Sequence, residues 1–98
     1  MKTLIAAVAV SLMMSPAVAA TADNTCTMVG KVAIAAMTSR QNGVPLATML
    51  EITSTSPLAR TIVLEAYSKP KFSSEKNKTD YITEFGNVVM LTCLKEMT

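Results

Sequence analysis

Histidine and tryptophan are absent from this 98-residue chain, and its aromatics amount to two Tyr and two Phe. Without an imidazole there is no side chain whose ordinary pKa lies near neutrality, which removes the usual catalytic triads, the His-bearing metalloprotease motifs and histidine pH switches. Charge is sparse too, at 16% Asp, Glu, Lys and Arg. The acids Glu51, Glu65, Glu75, Asp80, Glu84 and Glu96 are scattered, and no carboxylate pair suited to acid–base work stands out among them. Three glycines, Gly30, Gly43 and Gly86, form no phosphate-cradling loop. No alternating strand pattern of useful length occurs. The composition excludes most enzyme classes and points to a protein that is not an enzyme, with no cofactor or metal implied.

What is present begins with an export signal. Lys2 supplies a positive start, Leu4 to Met14 an apolar run, and Pro16-Ala17-Val18-Ala19-Ala20 a small-residue cleavage region, so Met1 to about Ala20 reads as a secretory leader. The apolar run falls short of the roughly 20 residues a transmembrane helix needs, and no second run approaches that length. A lipoprotein would carry cysteine at the cleavage point, whereas Cys26 follows the polar Asp23-Asn24-Thr25. The expected product is a single domain over 21–98, periplasmic or secreted, with no transmembrane anchor. Its removal of Lys2 leaves eight Lys and Arg against seven Asp and Glu, a net charge of +1. Such balance argues against nucleic-acid binding.

Oxidising compartments form and keep disulfides, and the chain has two cysteines. A Cys26–Cys93 bond is the economical outcome. It would close a loop of roughly 68 residues and contribute about 4 kcal/mol in the chain-entropy model, a large share of what a domain of this size has to spare.

Periodicity gives four helices, an all-α bundle closed by that one disulfide. Asp23 or Asn24 can cap a first helix running to about Gln41, ended by Asn42-Gly43. It places Cys26, Val29, Val32, Ala33, Ala36 and Met37 on one face. Pro45 suits the first position of a short second helix, edged by Leu46, Met49, Leu50 and Thr53. Ser56-Pro57 restarts a third, apolar across much of its girth through Leu58, Ala59, Ile62, Val63, Leu64 and Ala66 and so expected to be the most enclosed. Lys69-Pro70-Lys71 stops it near Ser68. Ser73 or Ser74 caps the last helix, where Tyr81, Ile82, Phe85, Val88, Val89, Thr92 and Cys93 share a stripe of roughly 120°. Cys26 and Cys93 sit within their stripes, so bridging them makes the first and last helices antiparallel neighbours.

Several features admit both a plain and a functional reading. Glu65, near Arg60, Thr61 and Tyr67, could occupy a polar site, although a helix-surface role is the ordinary one. The methionines Met28, Met37, Met49, Met90 and Met97 could hold a soft metal ion but are not clustered, and core filling accounts for them. Lys69, Lys71, Lys76 and Lys78 make a basic turn around Pro70 and Phe72 that is ordinarily a solvated loop but could touch an acidic partner or lipid headgroups. Met90, Leu91, Leu94 and Met97 leave the end of the last helix apolar nearly all round, hence enclosed or covered by a partner.

The cysteines together with Arg40-Gln41-Asn42-Gly43-Val44-Pro45-Leu46 and Ala66-Tyr67-Ser68-Lys69-Pro70 give a chain that resembles small, uncharacterised exported two-cysteine helical proteins of bacteria and prophages. The resemblance implies a helical two-cysteine fold and carries no activity or site. The leading expectation is protein–protein binding, as an inhibitor, immunity-type or accessory factor, with another exported or envelope protein as partner and Met90, Leu91, Leu94 and Met97 as its surface. The same surface admits a homo-oligomer. Two alternatives stand beside it. One is a periplasmic stress chaperone, weakened by having seven acids and no histidine. The other is a small-ligand or lipid carrier using space between the helices.

Overall fold

The computed structural model describes the backbone of residues 2–97 and the side chains of residues 22–97. It contains four helices in the order α1 (Lys2–Gln41), α2 (Leu46–Ile52), α3 (Pro57–Tyr67) and α4 (Glu75–Met97), with one Cys26–Cys93 disulfide and no strand among the described residues.

Local signals account for most boundaries. Ser56 accepts from the Ala59 amide at 3.2 Å with Pro57 opening α3 behind it, and Ser74 does the same for Asn77 at 3.1 Å at the head of α4. Gly43, at φ 80°, ends α1. The Gly43 amide reaches Arg40 O at 3.2 Å and Val44 reaches Ser39 O at 3.0 Å, a Schellman closure that needs the left-handed residue.

Three expectations are corrected. The first helix does not begin at Asp23 or Asn24, because α1 runs continuously from Lys2. The alanine-rich run Ala17 to Ala22 contains no breaker, and a capping residue starts a helix only where the chain before it is not already helical. The leader, Met1 to about Ala20, has side chains that lie outside the described residues. Pro45 is the N-cap of α2, at ψ 142°, with Leu46 its first helical residue. Nor is α3 the most enclosed helix, for Leu58 and Leu64 are 56% and 44% exposed. That place belongs to α1, where Cys26, Ala33, Ala36, Met37 and Gln41 are all buried.

The arrangement follows from α1 serving two neighbours. α4 returns along it antiparallel, and α3 lies beside it on another flank, while α3 and α4 have only marginal contact with each other. One stripe of α1 meets α4 in a regular register: Cys26 bonds Cys93, Gly30 faces Met90, and Ile34 faces Gly86. A Cβ on Gly86 would stand 2.6 Å from Ile34 Cγ1, so the two axes are close there because glycine is present. The core joins Val29, Ala33, Ala36 and Met37 of α1 to Met49, Ile62, Val63, Ala66 and Phe85.

At the far end from the disulfide, Gln41 is fully buried and acts as a surrogate backbone unit. Its Nε2 donates to Pro70 O at 2.8 Å, and its Oε1 accepts from the Phe72 amide at 2.8 Å. Arg40 Nε donates to Lys69 O at 3.2 Å and stacks its guanidinium 5.5 Å from the Tyr67 ring. The Tyr67 hydroxyl donates to Val44 O at 2.6 Å. Burial pushes that phenol above its ordinary pKa, with Arg40 partly opposing. Phe72 then stacks on Tyr81, with ring centroids 4.9 Å apart. Residues 40–44 and 67–72 are thus clasped together, fixing where α3 ends and α4 begins.

Two outcomes are expected. Gln41→Leu should lower stability by about 2 kcal/mol, because two partly buried backbone groups lose their partner at near-constant volume; urea unfolding reads it. Gly86→Ala should cost about 1 kcal/mol, the clash with the stiff Ile34 outweighing alanine's helix preference, and Ile34→Ala should recover that loss. Gly30→Ala, 3.3 Å from Met90 Cβ, should stay near neutral.

Candidate functional site

Because α3 and α4 straddle α1 with little contact between them, an open trough is left whose floor is α1. Its volume is about 660 Å³, within the range of ligand and peptide sites. Thr25 and Val29 contribute the floor, Leu58 and Ile62 the α3 wall, and Phe85, Val88 and Val89 the α4 wall. Tyr81 stands at one end and Cys93 with Met97 at the other. Along α4 the lining from Tyr81 to Met97 covers sixteen residues of rise, about 24 Å. Leu58 and Val88, at 56% and 51% exposed, look into it from opposite sides. A second, smaller hollow of about 240 Å³ lies between α1 and α3, again bounded by Leu58.

The disulfide forms the end wall. Cys26 is fully buried and Cys93 half-buried, with Cα atoms 5.5 Å apart, as a bridge requires. Met97 folds over it, its Sδ 3.6 Å from Cys26 Sγ and 3.8 Å from Cys93 Sγ.

Charge is confined to the rims and is mostly negative. Glu65 pairs with Lys69 at 3.1 Å, so those two cancel, which is the helix-surface role for Glu65. Glu84 and Glu96 also line the groove, and neither is in a salt bridge among the described residues. The basic turn lies away from this lining apart from Lys69. In that turn Lys76 bonds Asp80 at 2.7 Å, which raises the Lys76 pKa, and Lys78 lies 3.7 Å from Glu75.

The four apolar residues expected to form a partner surface are distributed around α4. Met97 lines the groove, Met90 rests against Gly30, Leu94 is half-buried, and Leu91 points outward at 52% exposed. Leu58, Ile62 and Val88 were not among the expected surface residues. Their signal was an excess: two helices with broad apolar faces share one neighbour, and a single α1 cannot cover both. Met37 and Met49 are buried in the core, whereas Met28 is 61% exposed. Among the described residues no group of three or more His, Cys, Asp and Glu could hold a metal ion, and no helix is long and apolar enough to cross a membrane.

Replacing both cysteines by alanine should lower stability by about 4 kcal/mol, since the bridge spans 67 residues of sequence. Denaturant titration measures that loss. Amide exchange should accelerate most over residues 91–97, the end of α4 that lies beside and beyond the bridge.

The chain matches no protein-family model, no curated protein and no solved structure.

Proposed function

We propose that this is an exported, non-enzymatic protein that works by binding another exported or envelope protein through the groove between α3 and α4. One observation carries the reading: an apolar trough of about 660 Å³ in which Leu58, Val88 and Met97 are each about half exposed. Apolar side chains gathered in one concave place are a recurrent mark of docking sites. The disulfide supports export, because such bonds persist in oxidising compartments. The leader-like stretch Met1 to about Ala20 supports it independently. The proposed surface shifts from the Met90, Leu91, Leu94 and Met97 set to the groove, keeping Met97.

The test is capture from periplasmic extract by the oxidised protein, compared with Leu58→Asp and Val88→Asp together. Both positions are half exposed, so the variant should unfold within about 1 kcal/mol of the parent. A partner retained by the parent and lost from the variant is the expected result. Equal capture by both proteins would move the function off the groove.

A further inference from the structure

Resting on the groove as the docking site, we infer the chemistry of its occupant: a single amphipathic helix with an apolar stripe flanked by lysine or arginine. The argument is one of charge and length. The chain as a whole is net positive, yet the groove's rims are net negative, because among the described residues Lys69 is the only cation lining it and is already held by Glu65 at 3.1 Å. Glu84 and Glu96 are left over, both on α4 and twelve residues apart, about 18 Å along the axis. Carboxylates beside an apolar floor repel a fatty-acid headgroup or an acidic peptide and attract cations at the edge of an apolar stripe.

The trough's length of about 24 Å equals roughly 16 residues of helix, and its two helical walls invite anchors at i, i+3/i+4 and i+7. Two basic residues placed 11 apart on such a helix lie on one side of its stripe and about 16.5 Å apart along its axis, close to the separation of Glu84 and Glu96. A helix carrying that pattern would satisfy both the floor and the rim. An acyl chain would satisfy the floor alone.

The experiment uses the oxidised full mature chain and two labelled 18-residue helical peptides. They share one leucine stripe and differ only in carrying Lys or Glu at the flanking positions. Fluorescence anisotropy should give about tenfold tighter binding of the Lys peptide at low ionic strength, from two exposed ion pairs, and the preference should shrink as salt screens them. Glu84→Gln with Glu96→Gln, both at the surface, should erase the preference while leaving the unfolding curve unchanged. Leu58→Asp with Val88→Asp should abolish binding of both peptides.

Equal binding of the two peptides, still lost in Leu58→Asp/Val88→Asp, would overturn the charge inference and leave the groove as the docking site. Binding of neither peptide, with oleate instead bound by the parent and not by Leu58→Asp/Val88→Asp, would overturn both in favour of a lipid site. A dimer in sedimentation that dissociates with Leu58→Asp/Val88→Asp would overturn the inference by naming a second copy as occupant.

Discussion

Everything in this molecule depends on the close seating of α4 on α1. Three contacts set it, at intervals of about one turn: Cys26 to Cys93, Gly30 to Met90, and Ile34 to Gly86. Two of them set a glycine against a larger side chain and the third is the disulfide itself, so the helices approach without a layer of side chains holding them apart. That seating uses one stripe of α1. The adjoining stripe, through Val29, Val32 and Ala36, is left for α3. Two helices placed on two flanks of a third have no reason to meet each other, and the groove is what remains between them. Its existence is therefore a consequence of the α1–α4 register, and its floor is the ridge of the helix that created it.

The slab so formed is thin, 14 Å in its shortest dimension, about two helix layers, against a long axis of 66 Å that α1 alone nearly accounts for. A thin domain buries few side chains, so it relies on pins at its edges. The covalent pin closes one end. The polar clasp of Arg40, Gln41 and Tyr67 closes the other, using side chains to satisfy backbone groups of a loop that proline keeps from helical pairing. The two ends differ in what can undo them: reductant acts on the first, and loss of a single amide side chain acts on the second. Between the pins the helices are held by apolar contact alone, which tolerates an open trough.

Much of the fold was legible because its signals are local. Ser56-Pro57, Ser74 and Asn42-Gly43 each declare a helix end through groups within a few residues of one another. The stripe of Cys26, Val29, Ala33, Ala36 and Met37 followed from periodicity, and the disulfide from there being two cysteines. What escaped is what depends on register. Gly30 and Gly86 mean little until Ile34 and Met90 are known to face them. Gln41 looked like an ordinary last-turn residue, since its partners Pro70 and Phe72 lie 29 and 31 residues further on. The enclosure of α3 was overestimated for the same reason: a helix apolar all round shows how much it could bury, and only the placement of α4 decides how much it does. The apolar end of α4 was likewise visible as a surplus, but its division into Met97 inward and Leu91 outward was not.

The groove's composition separates two kinds of energy that a bound partner would draw on. Affinity would come from the apolar lining, where covering the exposed half of Leu58, Val88 and Met97 removes apolar area worth about 25 cal/mol per Å² before the cost of association. The rim would add little to that sum, because exposed ion pairs contribute about 0–1 kcal/mol each. Its effect lies in orientation and encounter: two carboxylates on the α4 side, and a neutralised pair on the α3 side, make the trough electrostatically lopsided. A helix entering it could lie in two directions with similar apolar contact. The flank of Glu84 and Glu96 faces a basic edge in only one of them, so the charges select direction while adding their modest share of strength.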